Sequence, residues 1–196
     1  MTFVDGENLT IRAQDWATSN GIELVEGPFY RKDVFVWVPH HPAAGGSRPP
    51  DLIIWHDEWV AGSPVRSSYY TSLVGSHDDI KAVKEALWAM GFQPEVFKKI
   101  RPEQKAKGVD IALTKDMLSH AFLGNYEVAL LVAGDGDYVP LVEEVKRLGK
   151  RVHLCFFDRG FGLSQDLKLA SDCFCDLGPA FHAVWSMSQY LRKEWP

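Results

Sequence analysis

Apolar and polar positions change period in a regular alternation along the chain. Met1 to Val4 reads as a short strand, and Leu9, Ala13 and Trp16 follow at helical spacing, so a strand feeds directly into a helix and leaves Asp5 at its carboxyl end. Ser76 is suited to cap a helix whose apolar stripe is Ile80, Val83, Leu87 and Met90, and Gly91 stands where a left-handed terminating residue belongs. A short strand is expected over Glu95 to Ile100. Ile111, Thr114, Leu118 and Ala121 define the expected buried side of a further helix, with Asp110 at its start and Gly124 closing it.

Tyr126 to Ala133 carries an unbroken apolar run, as a central parallel strand covered on both faces requires. Leu141, Val145 and Leu148 form the stripe of the next helix, whose first turn tolerates Pro140 because its N–H groups lack partners, and Gly149 ends it. A strand over Arg151 to Phe157, a short helix around Leu163 to Ala170 and a strand near Cys173 to Leu177 follow. A last helix starts at Pro179 and carries Phe181, Val184, Trp185 and Leu191. Such alternation implies right-handed crossovers, a largely parallel sheet and ligand binding in the crevice beyond the carboxyl ends of the strands.

The stretch from Gly27 to Gly75 breaks the rhythm. Asp33 to Val38 is strand-like, Pro39 to Pro50 is rich in turn formers, and Leu52 to Trp55 and Ser67 to Leu73 are strand-like again. It reads as an inserted hairpin or loop region over about 27–66, followed by one sheet strand, within a single domain over residues 1–196.

Length and composition narrow the class. A chain of 196 residues fits one domain able to bury roughly 70% of its unfolded surface. No apolar run approaches the roughly 20 residues of a membrane span, and no basic segment followed by an apolar stretch opens the chain, so a cytoplasmic location is expected. Cys155, Cys173 and Cys175 form no paired framework, which suits a reducing compartment, and alternation with Phe174 favours burial over a zinc site. A net charge of -5 argues against a protein that coats nucleic acid non-specifically.

The candidate chemistry is acidic. Asp135 and Asp137 lie in Gly134-Asp135-Gly136-Asp137-Tyr138, between a buried strand and a helix start. Two unit charges about 4 Å apart repel by roughly 4 kcal/mol at an effective dielectric near 20, so convergent carboxylates need a cation or protons. All-oxygen ligands indicate a hard ion, Mg²⁺ or Mn²⁺. Taken alone, Asp-Gly is a common turn and Asp137 is a plausible helix cap. Asp5 at another strand end and Asp110 at another helix start put four separate acids near one edge and favour a metal site. Asn8 is suited either to orient water or phosphate or to a helix-start role.

Phe3-Val4-Asp5-Gly6-Glu7-Asn8, Lys107-Gly108-Val109-Asp110 with Leu113 and Asp116 beyond, and Gly134-Asp135-Gly136-Asp137-Tyr138-Val139-Pro140-Leu141 resemble the three signature blocks of NYN domains, in the right order. These belong to the PIN-like ribonuclease superfamily. The resemblance spans roughly residues 1 to 8 and 66 to 178. It implies an α/β, three-layer PIN-like (Rossmannoid) fold, with a central mostly parallel sheet and helices on both faces. It also implies metal-dependent cleavage of RNA, with Asp5, Asp110, Asp135 and Asp137 as metal ligands. Asp116 matches a recurrent family acid that helical spacing turns away from Asp110. Ala133 departs from the pattern, since a serine commonly precedes the Gly-Asp-Gly-Asp run.

The expected reaction is hydrolysis of an RNA phosphodiester, with single-stranded RNA the favoured partner and self-association into a homodimer also open. Lys98, Lys99, Arg101, Lys105 and Lys107 form a basic stretch suited to holding a polyanion beside an acidic pocket, with Asn8, Lys105 and Lys107 as the substrate-binding candidates. Tyr69, Tyr70, Trp55 and Trp59 are expected in the core rather than stacked on bases, and His40, His41 and His56 lack ligand spacing. An aspartyl-nucleophile phosphatase needs its Asp-x-Asp at the end of the first strand, where this chain has Asp5-Gly6-Glu7. A regulatory NYN module that binds RNA or protein and cuts poorly is the standing alternative.

Overall fold

The computed structural model describes residues 1–38, 66–101, 107–158 and 160–191. Six strands form one parallel sheet: β1 (Thr2–Asp5), β4 (Ser67–Val74), β5 (Gln93–Lys99), β6 (Val128–Val132), β7 (Arg151–Phe156) and β8 (Cys173–Asp176). Their spatial order is β5-β4-β1-β6-β7-β8. The chain therefore builds outward from β1 in one direction, then returns to the other side of β1 and builds the opposite way. In such a sheet the crevice between the two central strands, β1 and β6, is the topological switch point, where the loops leaving the strands part and leave room for a ligand.

The helices are α1 (Gly6–Ser19), α2 (His77–Ala89), α3 (Lys107–Phe122), α4 (Val139–Arg147), α5 (Gln165–Ala170) and α6 (Gly178–Leu191). Alternate residues of each strand face opposite ways, which divides the core in two. Val4 and Tyr69 join Leu9, Ala13 and Trp16 of α1, Val83 and Leu87 of α2, and Phe181 and Trp185 of α6. Phe3 and Tyr70 join Val109, Leu113 and Met117 of α3, Leu141 and Val145 of α4, and Leu167 of α5. The result is the expected three-layer α/β architecture, with each fully buried Leu or Phe contributing about 1.5–3 kcal/mol.

Local chemistry explains the helix ends. The Ser76 hydroxyl accepts from the Asp79 backbone N–H while the Asp79 carboxylate accepts from that of Ser76, a reciprocal capping box. The expected α3 needs correction. It begins at Lys107, so Asp110 sits in its first turn rather than at its start, and its buried stripe is Val109, Leu113, Met117 and Ala121. Ile111 is 67% exposed. Two apolar stripes run side by side on this helix, and periodicity alone does not tell which one the sheet covers.

Between α1 and β4, β2 (Tyr30–Arg31) pairs antiparallel with β3 (Phe35–Val36), with Asp33 left-handed at the turn. The strand expected over Asp33 to Val38 is thus shorter. The Tyr69 hydroxyl donates to the Val36 carbonyl at 3.1 Å and the Thr71 hydroxyl donates to the Val34 carbonyl, which ties the hairpin to β4. Tyr69 and Tyr70 are fully buried, as their strand placement predicts. The expected turn from Pro39 to Pro50, the strand over Leu52 to Trp55, and His40, His41, His56, Trp59 and Lys105 lie outside the described residues. Among the described residues, no helix is long and apolar enough to cross a membrane.

Candidate functional site

Asp5 is the last residue of β1 and the N-cap of α1, so the strand's end and the helix's unpaired N–H groups meet at one carboxylate. Its Oδ1 accepts from the Asn8 backbone N–H at 3.0 Å. The turn is this tight because residue 6 is glycine: a Cβ there would stand 1.9 Å from the Tyr69 ring. Asp5 is only 3% exposed, and burial foremost raises its pKa from 3.8 to about 7. The Asn8 N–H and the Tyr138 hydroxyl pull it down, while the charges of Asp110 and Glu7 push it up.

Across the switch point, β6 ends in the turn that carries Asp135 and Asp137. Gly134 donates its N–H to Asn8 Oδ1 at 2.9 Å, and its carbonyl accepts from the Ser164 N–H at 2.8 Å. A Cβ on Gly134 would stand 2.3 Å from the Phe156 ring, so the turn is seated against β7 with no room to spare. A 3₁₀ turn over Gly136–Tyr138 follows, capped by Asp135, whose Oδ1 accepts from the Asp137 N–H at 3.1 Å. The capping acid is therefore Asp135 rather than Asp137. That single turn leaves Asp135 half-buried and Asp137 exposed, and it swings the Tyr138 side chain inward.

The Tyr138 hydroxyl donates to Asp5 Oδ2 at 2.9 Å and stands 3.3 Å from Asp110 Oδ1. Burial, then the charges of Asp5 and Asp110, push the phenol far above its ordinary range, which keeps it a neutral donor. Asp5 from β1, Asp110 from α3 and the turn after β6 are thereby linked at the switch point of a parallel sheet. The NYN domain family matches residues 1–178. The chain belongs to the NYN domain family. As an NYN domain it is a PIN-like ribonuclease-superfamily domain.

A similar solved structure is the crystal structure of a protein of unknown function from Vibrio parahaemolyticus RIMD 2210633, 26% identical, with a TM-score of 0.49, covering 63% of this chain and 75% of that one. No curated protein matches the chain.

Within this NYN domain the four aspartates expected at the site divide. Asp5 and Asp110 share the Tyr138 hydroxyl, while Asp135 and Asp137 stand on the neighbouring turn. Among the described residues, no group of three or more His, Cys, Asp or Glu side chains is arranged to hold a metal ion. A buried carboxylate with a second one beside it nevertheless suits a hard divalent cation, because Mg²⁺ is commonly held by one or two carboxylates with waters and substrate phosphate completing the shell. Asp116 is turned elsewhere, accepting from the Tyr70 hydroxyl at 3.0 Å. Ala133, where the resemblance leads one to expect a serine, is fully buried in the core on the α3 side and places a methyl group in apolar packing.

Two partners of this site were not read from the sequence. One is Tyr138, which the turn motif contains but does not mark. The other is Glu7, which forms an ion pair with Lys99 at the end of β5 and accepts from the Ser72 hydroxyl of β4 at 2.6 Å. The Glu7 and Lys99 side chains are 16% and 10% exposed. Lys99 accordingly leaves the basic stretch expected to face a polyanion, because a nearly buried ammonium needs its counter-ion. Lys98 and Arg101 remain exposed, and Lys107 supplies the first residue of α3.

Proposed function

We propose that this NYN domain is a metal-dependent ribonuclease that hydrolyses phosphodiester bonds of single-stranded RNA. One observation carries the reading: Asp5 and Asp110, from distant parts of the chain, meet at a single hydroxyl at the switch point. The family supports a nuclease, and the buried carboxylate with its raised pKa supports a cation as its missing partner.

Asp5 and Asp110 would hold Mg²⁺ or Mn²⁺, with Asp135 and Asp137 at the mouth of the same crevice. When bound, such an ion polarises a phosphoryl oxygen and makes water acidic enough to act as a nucleophile. Asn8 holds the β6 turn against α1 and keeps both sides of the crevice in register. Lys98 near the end of β5 and Arg101 just beyond it, both exposed, are suited to the flanking phosphates, as is Lys107 at the start of α3. The substrate thus meets positive charge around a pocket that repels it until a cation is present.

Cleavage of a labelled single-stranded RNA in Mn²⁺ by wild type and Asp135→Asn tests the reading. Loss of cutting in the variant is expected, and undiminished cutting overturns the assignment. The apolar packing of Ala133 favours a second reading, a module that binds RNA and cuts poorly. Retained RNA binding with no cleavage by wild type in either metal would select it.

A further inference from the structure

We propose that Tyr138 is a positioning residue, whose hydroxyl holds Asp5 and Asp110 as a preset pair for a hard divalent cation; the inference rests on the nuclease reading of the site. The ring of Tyr138 is buried in the core that contains Val109 and Leu141. Apolar packing accounts for the ring, and a phenylalanine would serve it equally. It does not account for the hydroxyl, which sits 2.9 Å from Asp5 Oδ2 and 3.3 Å from Asp110 Oδ1.

The geometry explains why a hydroxyl belongs there. Asp5 is anchored at its other oxygen by the Asn8 N–H, and Asn8 in turn holds the Gly134 N–H. Tyr138, at the far end of the same turn, returns to Asp5 and reaches on to Asp110 in the first turn of α3. The bonds close a ring through β1, α1 and the β6 turn, and α3 joins that ring at the Tyr138 hydroxyl. Like charges so close separate when nothing neutral stands between them. A single hydroxyl suits this role because it donates without adding charge, so the pair keeps its affinity for a cation.

Groups that orient metal ligands without binding the ion typically matter by about 10–100-fold in metal affinity. The test compares wild type, Tyr138→Phe, Asp110→Asn and the double variant by electron paramagnetic resonance of free Mn²⁺, with melting in chelator and RNA cleavage across Mn²⁺ concentrations. Tyr138→Phe is expected to melt within a few degrees of wild type, to bind Mn²⁺ about 10-fold more weakly, and to recover near wild-type kcat at saturating Mn²⁺. In the Asp110→Asn background the same change should alter affinity by less than about threefold, because the second acid it positions is gone.

Equal Mn²⁺ affinity in wild type and Tyr138→Phe overturns the inference and leaves the nuclease reading intact. So does an equal loss in the Asp110→Asn background, or a variant that no longer folds in chelator, since the role is then structural. Weakened Mn²⁺ binding with no RNA cleavage by any variant upholds the positioning role and defeats the nuclease reading. Absence of Mn²⁺ binding by wild type overturns both.

Discussion

Asp5 and Glu7 leave the same strand–helix junction, one at the end of β1 and the other in the first turn of α1, and both carry little exposed surface. Glu7 meets the Lys99 ammonium and the Ser72 hydroxyl. Asp5 meets the Asn8 N–H and the Tyr138 hydroxyl, and among the described residues no cation pairs with it. The first arrangement is complete in itself and ties α1 to β4 and β5. The second is well hydrogen-bonded but buried, and burial foremost, with the nearby charges of Asp110 and Glu7, raises its pKa to about 7. An acid that serves architecture brings its counter-ion from within the chain. The acid proposed to serve an external cation is held by neutral donors and has no cation beside it among the described residues.

Removing the Asp5 charge should give the largest effects and break the comparison most directly. Asp5→Asn is expected to lower RNA cleavage in Mn²⁺ by more than the roughly 100-fold upper range of groups behind a metal. Its stability should move the opposite way. The folded pKa, near 7, lies above the unfolded 3.8, so Asp5 contributes stability that is fully present below pH 3.8 and lost as pH rises through about 7. Asparagine mimics the protonated acid at every pH. Urea titrations in chelator should find the two proteins alike near pH 4 and the variant more stable at pH 8, by on the order of 4 kcal/mol. Mn²⁺ should narrow that gap for wild type alone. A gap that is absent, or independent of pH, would mean that Asp5 is satisfied as Glu7 is.

Breaking the internal pair tests the other half. Lys99→Met leaves the Glu7 carboxylate nearly buried without its cation, a change that costs about 3–5 kcal/mol where one partner of a buried pair is lost. Glu7→Gln combined with Lys99→Met should recover most of the loss in a thermal melt. A Lys99→Met protein of wild-type stability but weakened RNA affinity would restore Lys99 to the polyanion-binding surface.

The difference between these acids was only partly legible in the sequence. Strand and helix alternation, the Ser76 cap and the unbroken apolar run before Gly134 are local signals, and the fold follows them closely. Asp5 and the Gly134–Asp137 turn were legible for the same reason: strand ends are marked locally, and a parallel sheet gathers them on one edge. The buried face of α3 was not, because adjacent stripes on one helix compete and only the sheet decides between them. Tyr138 and the Glu7–Lys99 pair were hidden more deeply. Glu7 and Lys99 join through the pairing of β4 with β1 and β5, and Tyr138 reaches Asp5 through a 3₁₀ turn that a motif does not encode.

A smaller effect is expected from the turn that joins the two sides. Gly134→Ala drives a methyl group into the Phe156 ring and the Gly162 carbonyl, 2.8 Å from the added Cβ. Overpacking of this kind costs about 1–3 kcal/mol. Any shift of the turn that relieves the clash strains the Gly134–Asn8 hydrogen bond, so cleavage should fall more steeply than stability. Equal losses in melting and in kcat would indicate that the Asn8–Gly134 bond does not keep the crevice in register.

Placing at residue 133 the serine expected from the resemblance should do least. Ala133 is fully buried, and a new hydroxyl among apolar neighbours costs roughly 1–3 kcal/mol unless it finds a partner. Its benefit would be to steady the turn, but the Gly134 N–H is already held by Asn8 at 2.9 Å and the Gly134 carbonyl by the Ser164 N–H at 2.8 Å. Ala133→Ser should therefore change kcat for RNA by less than about 10-fold, the lower bound for a group that orients metal ligands. A larger gain would mean that the hydroxyl acts on the aspartates themselves, and that the methyl group of Ala133 is what distinguishes this domain from an efficient nuclease.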